Sequence, residues 1–298
     1  MASRCILLIA TLPERAAYLR EALDSASRCA DLLDAVTLSV NGESASEAAK
    51  ICADYPAISQ RPLRILCTGK RLSAVKHGLF LLHQIAPSIA PTDLLLLLSD
   101  DDLLIPGESL AAYIDQLKKG GGRMVGVGRF RTFTSDPQLA SSECHSLEPG
   151  ESASALTYLA RHHQQERLTN ISGMLVPFSI YADAHRFMAR FRSSGRRTEH
   201  ILYCHRRVQE LYSPNEAIAS IRRHPLQEGV ALSYKSYFYD ELVFMLWVWI
   251  QQPQTRPWRN SGIYGFTLRR FLVFLRGYVD RTAPVQALVR VKHWFAPP

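Results

Sequence analysis

The most informative stretch of the chain runs from Leu94 to Gly107 and reads LLLLLSDDDLLIPG. Its five consecutive leucines have the length and composition of a strand that is buried on both faces, as in parallel sheets. Three aspartates follow directly, and Pro106 then favours the start of a helix. Adjacent carboxylates repel one another, and a divalent cation relieves that repulsion, so the sequence predicts a cation site at the end of this strand.

Apolar runs alternate with amphipathic stretches on the amino-terminal side of these leucines. Strands are predicted at Cys5–Ala10, Val36–Val40 and Leu63–Cys67, and a segment with helical spacing of apolar residues follows each of them. This alternation predicts an α/β fold with a mostly parallel, Rossmann-like sheet flanked by helices. Ligands of such sheets bind outside the carboxyl ends of the strands, which is where the aspartates fall.

The pattern is less regular after Gly122. We expect strands at Met124–Phe133, Ile171–Val176 and Ala217–Arg222, and helices at Ala153–His163, Ser179–Phe191 and Arg197–Leu211. The composition changes after Leu232 to aromatic and aliphatic helices interrupted by prolines. The predicted organisation is therefore one α/β domain over residues 1–228 and a helical extension over residues 229–298.

Composition excludes several classes of protein. The chain has 298 residues, of which 47% are hydrophobic and 21% charged, so it can bury a core and is not disordered. Uncharged apolar runs are shorter than the ~18 residues that span a bilayer. The six cysteines are scattered without a C-x-x-C pair, which argues against zinc. The short first apolar run lacks the features of a signal peptide, so a cytoplasmic protein is expected.

The positive charge is concentrated at the carboxyl end. The net charge is +8, and after position 255 eight basic residues face one acidic residue. Apolar residues recur at helical spacing over residues 268–279, with Arg269, Arg270 and Arg276 off that stripe. This pattern predicts an interfacial helix on the anionic inner face of the plasma membrane. The alternative is a helix packed on the main domain.

The Leu94–Gly107 stretch resembles the apolar strand, D-x-D element and L-x-x-P-G segment of GT-A nucleotide-diphospho-sugar glycosyltransferases, specifically the inverting family 2. The resemblance covers roughly residues 5–228, and further similar segments follow in the order of that family. These segments are Ile9–Leu23, Val40–Ser44, Arg71–Gly78, Thr169–Val176, Thr198–Arg206 and Ile221–Pro225.

The resemblance implies a metal-dependent transfer of a sugar, with inversion, from a nucleotide-diphospho-sugar to a glycan or lipid-linked acceptor in bacterial surface polysaccharide synthesis. It implies that Mn²⁺ or Mg²⁺ is held by Asp100, Asp102 and His224. The implied donor-binding residues are Thr11, Arg15, Asn41, Lys76, Asp100 and Asp101. The implied acceptor-binding residues are Gly173 and Met174.

Two positions depart from the family pattern. Asn41 and Gly42 stand where the family usually has the acid that holds the nucleobase. His200 stands where the family has its catalytic Asp, so either His200 or the neighbouring Glu199 is expected to be the base. An unperturbed histidine titrates near pH ~6.5, which suits that role. A catalytically degenerate member of the family is the alternative.

Two other classes of protein share some of these features. A nucleotidyltransferase of related fold would carry a Gly-rich loop after its first strand, and the segment from Thr11 to Arg15 contains no glycine. A nucleic-acid-binding protein would fit the basic tail, but no recognition module is visible and the tail aromatics follow helical spacing. No nucleic-acid partner is therefore expected.

Overall fold

The computed structural model describes residues 3–133, 143–144, 147–158, 170–195, 197–223 and 234–253. Within these residues the chain forms an eight-stranded mixed sheet with helices on both faces and a smaller four-stranded sheet. The predicted α/β fold with a mostly parallel central sheet is confirmed.

The strands, numbered along the chain, are β1 Cys5–Thr11, β2 Ala35–Val40, β3 Leu63–Cys67, β4 Leu94–Ser99, β5 Leu103–Leu104, β6 Met124–Gly126, β7 Phe130–Phe133, β8 Glu143–Cys144, β9 Ser152–Ala153, β10 Leu175–Pro177, β11 Glu210–Tyr212 and β12 Ala219–Arg222. The large sheet has the order β3-β2-β1-β4-β10-β6-β11-β9, and the small one β5-β12-β7-β8. Strands β3, β2, β1 and β4 are parallel, whereas β10 is antiparallel to both of its neighbours. The carboxyl ends of β1 to β4 therefore meet at one edge.

The helices are α1 Ala16–Ser27, α2 Ser46–Ala53, α3 Pro56–Ser59, α4 Ala74–Ile85, α5 Glu108–Lys119, α6 Phe178–Arg190, α7 Thr198–Tyr203 and α8 Tyr234–Gln251. They cover the two faces of the sheet separately. Ile6 and Leu8 of β1 belong to a core cluster with α4, α6, α7 and α8, whereas Leu7 and Ile9 belong to a cluster with α1, α2 and α5. Burial on both faces explains why the strands read as continuous apolar runs.

Three predicted elements after Gly122 differ from the structure. The expected strand Met124–Phe133 is two strands, β6 and β7, which lie in different sheets. The chain turns between them at Gly128, where a Cβ atom would lie 2.9 Å from the backbone of Gly173. The glycine thus permits a close approach of two backbone segments.

The expected helix Arg197–Leu211 ends at Tyr203, and β11 occupies its last part. Side chains near the end of α8 bond the carbonyls that would continue the helix. The indole Nε1 of Trp247 donates to the Ile201 carbonyl at 2.7 Å, and Gln252 Nε2 donates to the Cys204 carbonyl at 3.2 Å. These bonds satisfy the helix end without a further turn. The strand expected at Ile171–Val176 begins only at Leu175, after a turn.

The carboxyl-terminal region is described only as far as Pro253. Helix α8 lies in the predicted extension, yet Phe244, Trp247 and Val248 belong to the same core cluster as α6 and α7. The boundary after residue 228 remains a prediction. No helix in the described ranges is both long and apolar enough to cross a bilayer. The amphipathic segment 268–279 lies outside the described residues.

Candidate functional site

The three aspartates follow β4 at the edge where the parallel strands end. Asp100, Asp101 and Asp102 are 2%, 8% and 3% exposed. In the parallel register of β1 and β4, Ala10 pairs with Ser99, so the next residue of each strand lies at the same level. The Thr11 hydroxyl accordingly donates to Asp100 Oδ2 at 2.7 Å. The predicted cluster of carboxylates at this edge is present.

Arg15 brings a positive charge to this cluster. Its guanidinium lies 3.0 Å from Asp100 Oδ1 and 3.5 Å from Asp101 Oδ2. The side chain starts from a single 3₁₀ turn, Pro13–Arg15, between β1 and α1. Thr11 and Arg15, both predicted to bind the donor, therefore contact the aspartates.

Asp102 is held from the opposite side, by residues distant in sequence. Its Oδ2 accepts a hydrogen bond from the Ser172 hydroxyl at 2.6 Å, and its Oδ1 accepts one from the Arg222 backbone N–H at 2.9 Å. Ser172 Oγ also accepts from the Ser99 N–H at 3.0 Å. Ser172 thus links the end of β4 to the turn before β10. The sequence did not indicate this serine as a site residue.

The electrostatics of the cluster are dominated by burial. The pKa of Asp102 is raised to about 7, chiefly by burial and next by the Asp101 carboxylate, while hydrogen bonds from Ser172 and Arg222 act in the opposite direction. Burial also raises the pKa of Asp100, against the hydrogen bond from Thr11 and the charge of Arg15. Charge at this edge is therefore costly to maintain without a cation.

The carboxylate oxygens of this cluster are the ligand type that a hard divalent cation prefers, although Arg15 already neutralises part of their charge. Among the residues that the structure describes, no group of three or more His, Cys, Asp or Glu side chains is arranged to hold a metal ion. Mg²⁺-like ions, however, are often bound by one or two carboxylates together with water and substrate phosphates. Asp100 and Asp102 are the two carboxylates that the sequence predicts for this role, and metal binding by them remains a prediction. His224, the third predicted ligand, lies outside the described residues.

Asn41 follows β2 and fastens the loop after β3. Its Oδ1 accepts from the Leu72 N–H at 2.8 Å, and its Nδ2 donates to the Leu72 carbonyl at 2.9 Å. This pair of bonds fixes the loop that leads into α4. Lys76, on the first turn of α4, is exposed. Donor binding by Asn41 and Lys76 remains a prediction.

The two predicted acceptor residues lie in the turn before β10. Gly173 has a φ of +83°, a conformation that favours glycine, and its carbonyl accepts from the Tyr113 hydroxyl at 3.1 Å. The Met174 side chain is fully buried in the core cluster. The backbone of both residues is bonded within the protein as well, because the Gly173 N–H donates to the Leu97 carbonyl at 2.9 Å and the Met174 carbonyl accepts from the Leu97 N–H at 2.9 Å. Acceptor binding here remains a prediction.

Arg222 joins the cluster to α1 and the small sheet. Its Nε donates to the Asp101 carbonyl at 3.2 Å, and its guanidinium forms an ion pair with Glu21. The guanidinium carbon lies 4.9 Å from the ring centre of Tyr18 and 4.5 Å from that of Phe133. Stacking and hydrogen bonding of this kind hold a guanidinium in one place. Arg222 is the second site residue that the sequence did not single out.

The two candidates for the general base, Glu199 and His200, lie at the start of α7. His200 is 3% exposed, and its ring packs edge-on against Phe244 at 5.5 Å between ring centres. Glu199 is half-buried, and burial raises its pKa to about 7, opposed by the charge of Arg197. A group with a pKa near 7 is well matched to general base chemistry. Of the two residues, Glu199 is the more exposed.

The loop before α7 reaches the same edge of the sheet. A Cβ atom on Gly195 would lie 3.1 Å from Val75 Cγ2 and 3.9 Å from Ala74 Cβ. Both contacts are on the first turn of α4, which follows directly on the loop that Asn41 fastens. The start of α7 therefore lies on the side of the molecule where β1 to β4 end.

A sheet of this order, with acids after its central strand and helices on both faces, is that of the GT-A glycosyltransferases. The solved structures similar to this chain include S. aureus TarS residues 1–349 in complex with UDP, with a TM-score of 0.62 and 12% identity over 94% of this chain and 75% of that one. A second structure of S. aureus TarS has a TM-score of 0.59 and 12% identity over 90% of this chain and 43% of that one. At this identity the likeness shows the fold alone.

A third similar structure is GalNAc-T7 with UDP, GalNAc and Mn²⁺, with a TM-score of 0.49 and 11% identity over 92% of this chain and 56% of that one. No protein-family model matches the chain. No curated protein matches it in sequence either.

Proposed function

We propose that this protein is a glycosyltransferase that moves a sugar, with inversion, from a nucleotide-diphospho-sugar to a glycan or lipid-linked acceptor. The observation that carries the proposal is the buried triple-aspartate cluster at the carboxyl edge of a GT-A sheet. Ligands of open α/β sheets bind at this edge. The UDP in the similar TarS structure is consistent with a nucleotide-sugar donor.

Asp100 and Asp102 would hold Mn²⁺ or Mg²⁺, which when bound neutralises the charge of the leaving diphosphate. His224 is the proposed third ligand. Arg15 lies within ion-pair distance of Asp100, so its guanidinium can also contact a diphosphate bound at the cluster. Thr11 and Ser172 orient Asp100 and Asp102 through the hydrogen bonds described above. Asp101, Asn41 and Lys76 complete the proposed donor side.

The proposed general base is Glu199. An inverting transfer requires that the acceptor hydroxyl lose its proton to a group within hydrogen-bond reach. Glu199 is half-buried with a pKa of about 7, so near neutral pH a large share of it is ionised and able to accept a proton. His200, buried against Phe244, would then support the helix rather than meet the acceptor.

The donor proposal is tested by thermal unfolding with UDP- and GDP-sugars, with and without Mn²⁺. We expect the wild type to be stabilised by one donor, and more strongly with metal, because ligand binding to the folded state raises its stability. The Asp102→Asn variant should lose the metal-dependent part. Asp115→Asn, an exposed change on α5, is the matched control. Equal responses of wild type and Asp102→Asn would contradict the proposal.

The base proposal is tested by the Glu199→Gln variant. Gln keeps the size of the side chain and cannot accept a proton, so we expect transfer to fall by about 100-fold or more while donor stabilisation is retained. His200→Asn is the comparison. If His200→Asn abolishes transfer and Glu199→Gln does not, His200 is the base. If wild type binds the donor but transfers nothing to any glycan or lipid-linked acceptor, the alternative of a degenerate binding protein is supported.

A further inference from the structure

We propose that α8 positions the Glu199 segment through two consecutive acids, Asp240 and Glu241, which hold the described residues of the loop before α7, 193–195 and 197, at its start and at its end. The inference rests on the proposed function, because it concerns the residue assigned there as the base. Asp240 and Glu241 are each 1% exposed, although each carries a carboxylate. Buried carboxylates are costly unless they are bonded, so their partners indicate what they do.

Asp240 holds the start of the loop. Its Oδ1 accepts from the Ser193 hydroxyl at 2.8 Å and from the Ser194 N–H at 2.8 Å. Its Oδ2 accepts from the Ser194 hydroxyl. The residue just before this loop, Arg192, has a φ of +50°, which is uncommon for a side-chain-bearing residue. Three bonds to one carboxylate thus fix a sharp change in chain direction.

Glu241 holds the end of the loop. Its Oε2 lies 2.8 Å from Arg197 Nε, with 2% and 10% of the two side chains exposed. Arg197 directly precedes α7, which begins at Thr198 and carries Glu199 as its second residue. Separating a buried ion pair leaves charges without compensation, so this pair ties the residue before α7 to α8.

The opposite side of the loop rests on α4. Gly195, with a φ of +91°, packs on Val75, and the Thr198 hydroxyl donates to the Gly195 carbonyl at 2.5 Å. The loop is therefore confined between α8 and the first turn of α4. This arrangement sets where Glu199 stands relative to the edge of the sheet.

Glu241 and Arg197 also determine the charge near Glu199. The Arg197 charge acts on the pKa of Glu199, and the Glu199 charge acts in turn on Tyr203, one helical turn later. From α8, Glu241 pairs with Arg197 and Asp240 accepts from Ser193 and Ser194. The Arg197 charge favours the ionised form of Glu199, and Glu241 offsets that charge. Removing the Glu241 charge should therefore make Glu199 easier to ionise and a weaker base.

The test compares Asp240→Asn and Glu241→Gln in the full chain with Glu210→Gln, a change of a half-buried acid on β11. We expect kcat to fall about 10- to 100-fold in both α8 variants, because misplacement of a reacting group by a fraction of an ångström to 1 Å has effects of this size. The donor KM should stay within about twofold of wild type, since the aspartate cluster is untouched. Glu210→Gln should match wild type.

The pH profile gives a second readout that general loosening of the fold would not produce. In Glu241→Gln the acidic limb of kcat should move to lower pH, because the unbalanced Arg197 charge stabilises ionised Glu199. In Asp240→Lys, introduced as a disruptive comparison, kcat should fall further than in Asp240→Asn. Thermal unfolding of each variant, with and without donor, verifies that the fold and the donor site persist.

The outcomes separate the two proposals. If wild type transfers sugar, Glu199→Gln does not, and both conservative α8 variants behave as wild type, the positioning role is overturned and the proposed function stands. If both variants lose kcat with an equal loss of donor affinity, α8 supports the whole site and the inference is again overturned. If wild type neither binds a donor nor transfers a sugar, both proposals fail together.

Discussion

Arg222 is the residue on which several parts of the site converge. Its backbone N–H bonds Asp102, its Nε bonds the Asp101 carbonyl, and its guanidinium is stacked by Tyr18 and Phe133. Because the planar guanidinium combines stacking with directed hydrogen bonds, a lysine cannot replace it. The residue therefore ties the aspartate loop to both sheets at once.

We expect Arg222→Lys to lower the free energy of unfolding by about 1–3 kcal/mol, from lost stacking and hydrogen bonds. Urea unfolding measures this loss. The metal-dependent stabilisation by the donor should weaken as well, because the Asp101–Asp102 backbone loses a support. Arg223→Lys, at the next and more exposed position, is the matched control and should stay within about 0.5 kcal/mol of wild type. Equal losses in the two variants would contradict this role for Arg222.

The residues of the site differ in how visible they are in the sequence. The aspartates could be predicted because three acids follow an apolar run without interruption, and strand ends are where ligands of such sheets bind. Ser172 and Arg222 could not be predicted, because they lie 70 and 120 residues from Asp102 in the sequence and contact it only in the folded protein. Asn41 and Met174 were placed by family resemblance, and their contacts with Leu72 and the core became visible only in the structure.

At the scale of elements, two buried histidines hold α4 in place: its own His77 bonds β2, and His185 of α6 lies against Gly78. His77 Nε2 lies 2.7 Å from the Ser39 hydroxyl, and His185 Nδ1 donates to the Tyr181 carbonyl at 3.0 Å. Gly78 lets the helices approach, because a Cβ atom there would lie 2.2 Å from His185 Cδ2. Burial lowers the pKa of each histidine from 6.5 to about 4.

This packing predicts acid sensitivity. Between pH 6.5 and about 4 the unfolded chain binds protons that the folded chain does not, so stability is full above this window and falls as pH drops through it. Each histidine contributes up to about 3 kcal/mol to that fall. Urea unfolding at several pH values should show that the free energy of unfolding falls less steeply with decreasing pH in His185→Gln than in the wild type. His83→Gln, exposed on α4, should retain the slope of wild type.

The spacing of apolar residues predicts some strands and helices well and others poorly. The first four strands were predicted within one or two residues, because their apolar runs are bounded by polar turns. The break between β6 and β7 was missed because the alternation continues through it, and only the contact of Gly128 with Gly173 shows the change of sheet. Helix α7 was overestimated because its end is set by Trp247 and Gln252, about 50 residues later.

For the whole molecule, α8 closes one face of the core. Trp247 is 2% exposed and packs on Phe187, with 4.6 Å between ring centres. Trp247→Ala should therefore lower the free energy of unfolding by about 3–5 kcal/mol, as expected for a buried aromatic. Trp249→Ala, on the same helix but only half-buried, is the control and should cost less. A similar loss in both variants, measured by urea unfolding, would show that α8 is not packed as described.

The basic segment beyond Pro253 has its own prediction. The chain should float with liposomes that contain anionic lipid, whereas a chain ending at Pro253 should not, because eight basic residues and the amphipathic pattern are lost. Liposomes of neutral lipid are the control. Equal flotation of both chains would refute membrane attachment through this segment.

The hydrogen bonds of Asp102 have a consequence for folding during synthesis. The two donors to its carboxylate belong to residues 70 and 120 positions downstream. During synthesis the aspartates therefore leave the ribosome long before Ser172 and Arg222. Until then the aspartate loop lacks these bonds and can stay hydrated. The nascent amino-terminal half is therefore expected to form its strands early and to complete the hydrogen bonds of the aspartate loop only once β12 has emerged.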